Sequence, residues 1–323
     1  MSTPARTSEE AAPRPVVAEH QLIRLIGFGS GGEVWLAKNA LGIYRAVKIV
    51  FRKSFSNPKP YENEFNGLLK FEPLSRRHDG LVDILQVGGS VASDYFYCVM
   101  ELADDAHTGP AINPDDYQPR TLGYDLTERR RLPIGECIRL GAPIASALGF
   151  LHQHGLIHRD VKPANIIFVN GFPKLADAGL VTEMFKTRSR VGTEGYIAPE
   201  GPGTARADIY ALGKVRYEIS TGKDRSEYPE LPAEMGNPVE MRDLMQFNKI
   251  VLQACRTNPR LRYRNTEEMM SDLLAFQFCP RGLLGEKNLP VYVGWVGIFG
   301  LLVAASIVFL LLWHMTLRLL HPE

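Results

Sequence analysis

The order of hydrophobic and polar positions divides the chain into a β-rich part followed by a helical part. Residues 21–52 alternate as three short strands with turns at glycines, 61–71 are typical of a helix, and 80–102 return to a strand pattern. From about Gly135 onward, apolar residues recur at helical spacing. Residues 104–120 contain three prolines and several Asp and Asn residues, which predicts a loop. The pattern therefore indicates a small sheet-rich lobe followed by a larger helical lobe.

Two terminal segments depart from this mixed pattern. Residues 1–17 are rich in Pro, Ala, Ser and Glu, lack the apolar run of a secretory signal, and are predicted to be a disordered tail. Residues 290–313 are almost wholly apolar, without Asp, Glu, Lys or Arg. A helix over 291–313 would be roughly 34 Å long, enough to cross about 30 Å of hydrocarbon. We therefore predict a single transmembrane helix at 290–313, with a linker at 281–289 and a short tail at 314–323.

Aromatic residues near both ends of the apolar segment agree with this prediction. Tyr292, Trp295 and Trp313 would lie where aromatic rings favour the membrane interface. A buried core helix is the alternative, and it is disfavoured because no face of the segment is left to meet water. Glycines three residues apart between 294 and 300 have a spacing that is compatible with pairing of two such helices, and thus with self-association.

Composition and charge exclude some classes of protein. The chain has 323 residues and a net charge of +1, and it contains no basic stripe with interleaved aromatic residues. Nucleic acid is therefore not an expected partner. The four cysteines, which form no Cys-x-x-Cys pair, are expected to be free thiols in a reducing compartment.

A glycine-rich segment near the N-terminus fits the pattern G-x-G-x-x-G through Gly27, Gly29 and Gly32. In a dinucleotide-binding fold a helix would follow these glycines directly. Here residues 33–38 read Glu-Val-Trp-Leu-Ala-Lys, which is typical of a strand. Glycines between two strands predict a flexible hairpin whose backbone amides can approach phosphate groups closely.

A lysine on the third predicted strand is the candidate phosphate-binding cation. Lys48 is flanked by Val47 and Ile49 and is therefore expected to point into a cleft, where its ammonium would contact nucleotide phosphates. A buried cation needs an anion to orient it. Glu64 on the following helix is the expected partner, and Glu62 on the same helix is the alternative.

The segment 158–165, His-Arg-Asp-Val-Lys-Pro-Ala-Asn, carries the strongest chemical signal. Asp160 can accept a proton from a substrate hydroxyl, and Lys162 can neutralise charge on a moving phosphoryl group. Asn165 can supply an amide oxygen to a metal, and Asp177 offers a carboxylate to Mg²⁺. Any one of these residues could belong to an ordinary surface loop, but their joint order and spacing are specific.

These motifs resemble those of eukaryotic-type protein kinases, and most closely those of membrane-anchored bacterial Ser/Thr kinases. The resemblance covers about residues 20–278 and includes Gly-Thr at 192–193 and Ala-Pro-Glu at 198–200. It implies an α+β, bilobal protein-kinase fold over 18–280, with an N-lobe to about residue 102 and a C-lobe from there on. The single transmembrane helix would follow this domain.

The implied activity is that of a protein serine/threonine kinase, which moves the γ-phosphoryl group of ATP, with Mg²⁺, to Ser or Thr hydroxyls of protein substrates. The resemblance also supplies a gatekeeper, a hinge that binds adenine through its backbone, and apolar residues above and below the ring. Plain core packing would explain the apolar residues equally well. The gatekeeper would be Met100, and the hinge would be Glu101, Leu102 and Ala103. Val34 and Ala46 would lie above the adenine ring and Ile167 below it.

The activation segment follows the same resemblance. Thr187 and Ser189 lie among basic residues, so phosphorylation there would add negative charge and could order the loop. Thr193 is expected to position Asp160 and Lys162. The resemblance gives structural roles to a buried helical residue, Asp208, and to an ion pair between Glu200 and Arg262.

One residue departs from the family pattern. Ala178 stands where the family carries a Phe, and this smaller side chain could leave a cavity beneath the helix that carries Glu64. A membrane-tethered pseudokinase scaffold is therefore the alternative from another class, although Lys48, Asp160 and Asp177 are all present. A kinase fold that acts on a small molecule is a second alternative, which the Ala-Pro-Glu segment disfavours.

The predicted membrane topology is testable, because a domain that uses ATP must face the cytosol. In right-side-out vesicles, an added protease is expected to leave the kinase domain intact, since that domain would lie inside. Permeabilised vesicles provide the control, in which the same domain should be digested. Digestion in intact vesicles would contradict the predicted orientation.

Overall fold

The computed structural model describes residues 15–29, 31–177, 181–183, 192–233 and 237–278. The predicted membrane span with its linker and short tail, and the activation-loop residues Thr187 and Ser189, lie outside the described residues. The two compact units of the chain are 1–274 and 275–323, and of the second only 275–278, the last turn of a helix, is described.

Only the last residues of the predicted N-terminal tail, 15–17, fall within the described part of the chain. Val17 is 5% exposed and packs in the core of the sheet. The hydroxyl of Tyr95 bonds to both the N–H and the C=O of Val16, and the hydroxyl of Tyr97 accepts the N–H of Ala18. The folded domain therefore takes in residues that the sequence assigned to the tail, and Val17 is the correction to that prediction.

The N-lobe is an antiparallel sheet with one helix. The elements are β1 (His20–Gly29), β2 (Gly32–Asn39), β3 (Tyr44–Phe51), α1 (Pro58–Ser75), β4 (Ile84–Gly89) and β5 (Tyr95–Met100). The strands are hydrogen-bonded in the order β1-β2-β3-β5-β4, so β1 lies at an edge. Alternation along β2 and β3 places Ala37, Val47 and Ile49 in the sheet core.

Helix α1 is longer than the sequence predicted, because its start is set by local capping and not by apolar periodicity. The Asn57 side chain accepts the N–H of Lys59, and Pro58 occupies the first turn, where its missing N–H costs nothing. Apolar and acidic positions three or four residues apart then form the inward face. The buried residues of that face include Tyr61, Glu64, Phe65, Leu68 and Phe71.

The C-lobe is mainly helical. Its helices are α2 (Leu122–Arg129), α3 (Ile134–Gln153), α4 (Ala205–Thr221), α5 (Pro238–Ala254) and α6 (Thr266–Phe278). Helix α4 begins after Thr204, whose side chain accepts the N–H of Ala207, and is followed by Gly222 in the left-handed conformation. Helices α3 and α5 pack against α4. Short strands pair as β6 (Leu156–Ile157) with β9 (Thr182–Glu183), and β7 (Ile166–Val169) with β8 (Phe172–Leu175).

The predicted bilobal fold, with a sheet-rich N-lobe and a helical C-lobe, is therefore confirmed. Residues 104–120 form no helix or regular strand between the lobes, as their turn residues indicated. In the described part of the chain, one helix, α3, is long and apolar enough to cross a membrane. Because 61% of the most apolar 18-residue stretch of α3 is buried within the protein, this helix has the character of a core helix.

An ion pair ties the end of the activation segment to the C-lobe core. Nη1 and Nη2 of Arg262 lie 2.7 and 2.8 Å from the two carboxylate oxygens of Glu200, and the Arg262 side chain is 0% exposed. The same guanidinium also donates to the carbonyls of Arg206, Arg256 and Thr257. Its burial is therefore balanced by a two-pronged carboxylate contact and by backbone acceptors.

Replacing Arg262 by Met should lower the free energy of unfolding by about 3 kcal/mol, since Glu200 and three carbonyls lose a buried donor. Urea unfolding of the full chain in detergent would measure this loss. Arg264→Met is the matched control: its side chain is 81% exposed, and a change below about 0.5 kcal/mol is expected. Equal effects of the two substitutions would contradict the structural role of Arg262.

Candidate active site

A cleft of about 260 Å³ opens between the glycine hairpin, the segment after β5 and the loop that follows β6. Its walls bring together residues that are far apart in the sequence. The lining includes residues that the sequence alone did not indicate, namely Ile26, Tyr117, Pro119, Thr121 and Ala164. The predicted site residues that line it are Gly27, Gly29, Val34, Ala46, Lys48, Met100, Glu101, Leu102, Ala103, Asn165, Ile167 and Asp177.

Four of the residues predicted for catalysis or nucleotide binding, Gly32, Glu64, Asp160 and Lys162, are not part of this lining. Gly32 packs against β3 instead, where an added Cβ would lie only 2.3 Å from the carbonyl oxygen of Ile49. Glycine is therefore required at position 32 by the close approach of two strands. Glu64 lines a smaller adjoining cavity together with Lys48, and Lys162 lies outside both cavities.

Lys48 is buried at the back of the cleft between two carboxylates. Its Nζ lies 2.7 Å from Oδ1 of Asp177 and 3.0 Å from Oε1 of Glu64, and the residue is 5% exposed. Burial acts to lower the pKa of Lys48, but Asp177 and Glu64 outweigh it and raise that pKa. Glu62, the alternative partner, is exposed on the other face of α1. The ammonium thus stays charged and faces the cleft.

The loop after β6 holds a compact network around Asp160, which is 4% exposed. Its Oδ1 accepts the hydroxyl of Thr193 at 2.8 Å. Its Oδ2 accepts Nζ of Lys162 at 2.8 Å and Nδ2 of Asn165 at 2.9 Å. Lys162 also donates to Thr193 at 2.9 Å. The four side chains therefore fix one another, which pre-organises a carboxylate beside an ammonium.

The buried carboxylate of Asp208 on α4 holds the backbone of this loop. It accepts the N–H groups of His158 and Arg159 at 2.9 and 2.8 Å, and Nε2 of His152 lies 2.9 Å away. Burial acts to raise the pKa of Asp208, but the contacts of His152 and His158 hold it below its usual value. Arg159 has a φ of +71°, a strained left-handed conformation that this anchor helps to maintain.

The segment after β5 presents backbone groups to the cleft. The carboxylate of Glu101 is held by the N–H of Asp83 at 2.9 Å and by Nζ of Lys174, so its side chain is turned away to other partners. The carbonyl of Ala103 accepts the hydroxyl of Tyr117 at 3.0 Å. Among the described residues, the N–H of Ala103 has no protein acceptor. It is a candidate donor to a bound ligand.

Asn165 and Asp177 can supply oxygen ligands to a divalent ion. Nδ2 of Asn165 donates to the backbone carbonyl and the carboxylate of Asp160, which leaves its amide oxygen for a cation. Asp177 contributes a carboxylate in the same cleft. Within the described ranges, no group of three or more His, Cys, Asp or Glu residues could hold a metal. Two oxygen ligands of this kind fit Mg²⁺, which usually keeps waters and substrate phosphates as its other ligands.

Comparison with known proteins agrees with this geometry. The protein kinase domain family matches residues 20–279, most of the chain, and the chain belongs to that family. The family uses ATP and a divalent metal in general.

Curated relatives are similar over the same region. The chain is 28% identical over 302 residues to the serine/threonine-protein kinase PknB of Mycobacterium leprae, covering 85% of this chain and 44% of that protein. It is 30% identical over 286 residues to a probable PknB of Corynebacterium glutamicum, covering 80% and 42%. It is 28% identical over 287 residues to PrkC of Bacillus subtilis, covering 80% and 40%. The chain thus spans less than half the length of these relatives.

Asp208→Asn is expected to loosen the loop around Asp160. The Asn amide has one acceptor oxygen where Asp208 uses two, so a backbone N–H of His158 or Arg159 loses its buried partner. Native-state hydrogen exchange should show these two amides exchanging about tenfold faster or more. Asp243→Asn on α5 is the control and should leave the loop unchanged. Unaltered exchange in Asp208→Asn would contradict the anchoring role of this carboxylate.

Proposed function

We propose that this chain is a protein serine/threonine kinase that transfers the γ-phosphoryl group of Mg-ATP to protein hydroxyls. The network around Asp160 is the observation that carries the proposal. A carboxylate held by Thr193, Lys162 and Asn165 stands next to the cleft that Asn165 shares with Lys48. This arrangement supplies what phosphoryl transfer needs, namely an acceptor for the hydroxyl proton beside fixed positive charge.

The nucleotide would bind with its adenine at the backbone of 101–103 and its phosphates towards Lys48. The N–H of Ala103 suits the ring, and Ala46, Val34 and Ile167 supply apolar surface around it. Gly29 lets the hairpin lie close to Lys48, because a Cβ at this position would be 3.3 Å from Cε of the lysine. The backbone of the hairpin could then cover the phosphates.

Asn165 and Asp177 would hold Mg²⁺, and the other ligands would come from phosphates and water. When bound, the ion would neutralise part of the charge on the phosphates. Asp160 would orient the substrate hydroxyl and accept its proton. Lys162 would stabilise the charge on the transferred group, and Thr193 would keep both side chains in place.

The Ser/Thr class of substrate is inferred from Lys162 and Thr193, and the relatives, which are named serine/threonine-protein kinases, support the same class. Phosphorylation of Thr187 or Ser189 would be a means of self-activation. The membrane location rests on the apolar segment 290–313: the kinase domain would face the cytoplasm, with one helix in the lipid bilayer. Pairing of two such helices would allow self-association.

A pseudokinase scaffold is the second candidate, and Ala178 is the observation that favours it. This position lies outside the described residues. Two observations argue against a pseudokinase. Lys48 and Asp177 are in direct contact, and Asp160 has its hydrogen-bond network, so the groups needed for phosphoryl transfer are assembled.

The decisive experiment measures phosphate transfer from radiolabelled ATP by the full chain in liposomes with Mg²⁺, to itself and to a generic basic protein. Asp160→Asn should reduce transfer about a hundredfold or more, because the proton acceptor is lost, and should leave ATP binding intact. Asp243→Asn serves as the matched control and should transfer normally.

Two outcomes would overturn the proposal in different ways. ATP binding without any transfer by the wild type would favour the pseudokinase. Near-normal transfer by Asp160→Asn would refute the role assigned to this carboxylate.

A further inference from the structure

Residues 105–118, which follow the hinge, fold into a closed loop. The N–H of Ala106 donates to the carbonyl of Gln118 at 2.8 Å, so the two ends of the loop lie side by side. The carboxylate of Asp105 accepts the N–H groups of His107, Thr108 and Gln118. The loop is therefore held by its own hydrogen bonds, in the manner of compact loops that often carry function. None of the roles assigned above uses it.

The loop reaches the nucleotide cleft through Tyr117. This residue is 2% exposed, and its hydroxyl donates to the carbonyl of Ala103 in the hinge. Tyr117 also lines the cleft, together with Pro119 just beyond the loop. One wall of the cleft is thus built from this loop.

The loop also reaches the edge strand of the N-lobe. Nε of Arg24 on β1 donates to the carbonyl of Pro114 at 2.9 Å, and its Nη2 donates to the carbonyl of Tyr117. A guanidinium can serve two carbonyls at once because its donors form a rigid fork. The register of β1 against β2 shifts between Leu22 and Arg24, and again between Leu25 and Gly27. Such bulges re-aim side chains.

These contacts act on the strand that carries the glycine hairpin. Because β1 is an edge strand, it pairs with β2 on one side only. Arg24 holds it to the loop, a few residues before Ile26, Gly27 and Gly29, which line the cleft. Lifting the hairpin away from the hinge must therefore break the Arg24 hydrogen bonds or carry the loop along with it.

We propose that Arg24 and residues 105–118 form a strap that holds the glycine hairpin over the hinge and slows release of a bound nucleotide. The inference rests on the proposed ATP site. Arg24 is a positioning residue here: it acts through β1 and the loop, without touching the nucleotide.

The test is stopped-flow release of a fluorescent ADP analogue from the full chain in detergent with Mg²⁺. Arg24→Met should raise the dissociation rate about tenfold or more, because both charge-assisted hydrogen bonds that Arg24 donates to the loop are lost. The association rate should change much less. Arg24→Lys keeps the charge but loses the fork, and should give an intermediate rate. Arg45→Met on β3 is the matched control, because Arg45 donates to the carbonyl of its neighbour Tyr44. This control should release nucleotide at the wild-type rate.

A second variant keeps the test valid if Arg24→Met folds poorly. Tyr117→Phe removes the bond to Ala103 but leaves the carbonyl that accepts Arg24, and a smaller increase in release rate is expected. Hydrogen exchange without nucleotide should become faster within 105–118 in both variants, and not across the whole domain.

The outcomes separate the strap from the proposed function. Wild-type release rates in folded Arg24→Met and Tyr117→Phe, with nucleotide bound normally, would overturn the strap alone. Equal acceleration in Arg45→Met would also overturn it, because the effect would then be general. Failure of the wild type to bind any nucleotide would overturn the ATP site and the strap together.

Discussion

The contact of the Lys48 ammonium with two carboxylates is the interaction on which the cleft depends. It joins three parts of the chain, because Lys48 lies on β3, Glu64 on α1 and Asp177 just after β8. A buried ammonium is costly unless it is paired, so the contact between Glu64 and Lys48 favours the docking of α1 against β3. The position of α1 and the back wall of the cleft are therefore coupled through Lys48.

Buried carboxylates also shape the loops of the site, where regular strand pairing is short. Asp208 accepts the backbone N–H groups of the loop around Asp160, and Asp105 does the same for the loop beyond the hinge. Asp104 accepts those of Asn170 and Gly171 between β7 and β8. A carboxylate can accept several N–H groups at once, so a buried backbone without regular strand pairing still has its N–H groups hydrogen-bonded. These three loops are thus held in place by hydrogen bonds to buried carboxylates.

Two N-lobe side chains reach segments beyond the hinge and so restrain the same cleft. Lys48 contacts Asp177 at its back, and Arg24 contacts the carbonyls of Pro114 and Tyr117 in the loop that supplies one wall. The first contact lies among the groups proposed for phosphate binding and depends on charge. The second depends on the fork geometry of a guanidinium and on backbone acceptors. The proposed phosphoryl transfer and the proposed slow release of nucleotide therefore rest on different contacts, which single substitutions can test independently.

The order of the lobes and the candidate chemistry follow from the sequence alone, because alternation, glycine turns and the spacing of Asp160, Lys162 and Asn165 are local properties. Tertiary packing was needed to choose between Glu64 and Glu62, since both lie on α1 and the docking of the helix selects the face. It also decided that Val17 belongs to the core, and that Arg24 meets the loop beyond the hinge. Such contacts join distant segments, often through backbone carbonyls that every residue carries, and they leave no pattern in the order of side chains.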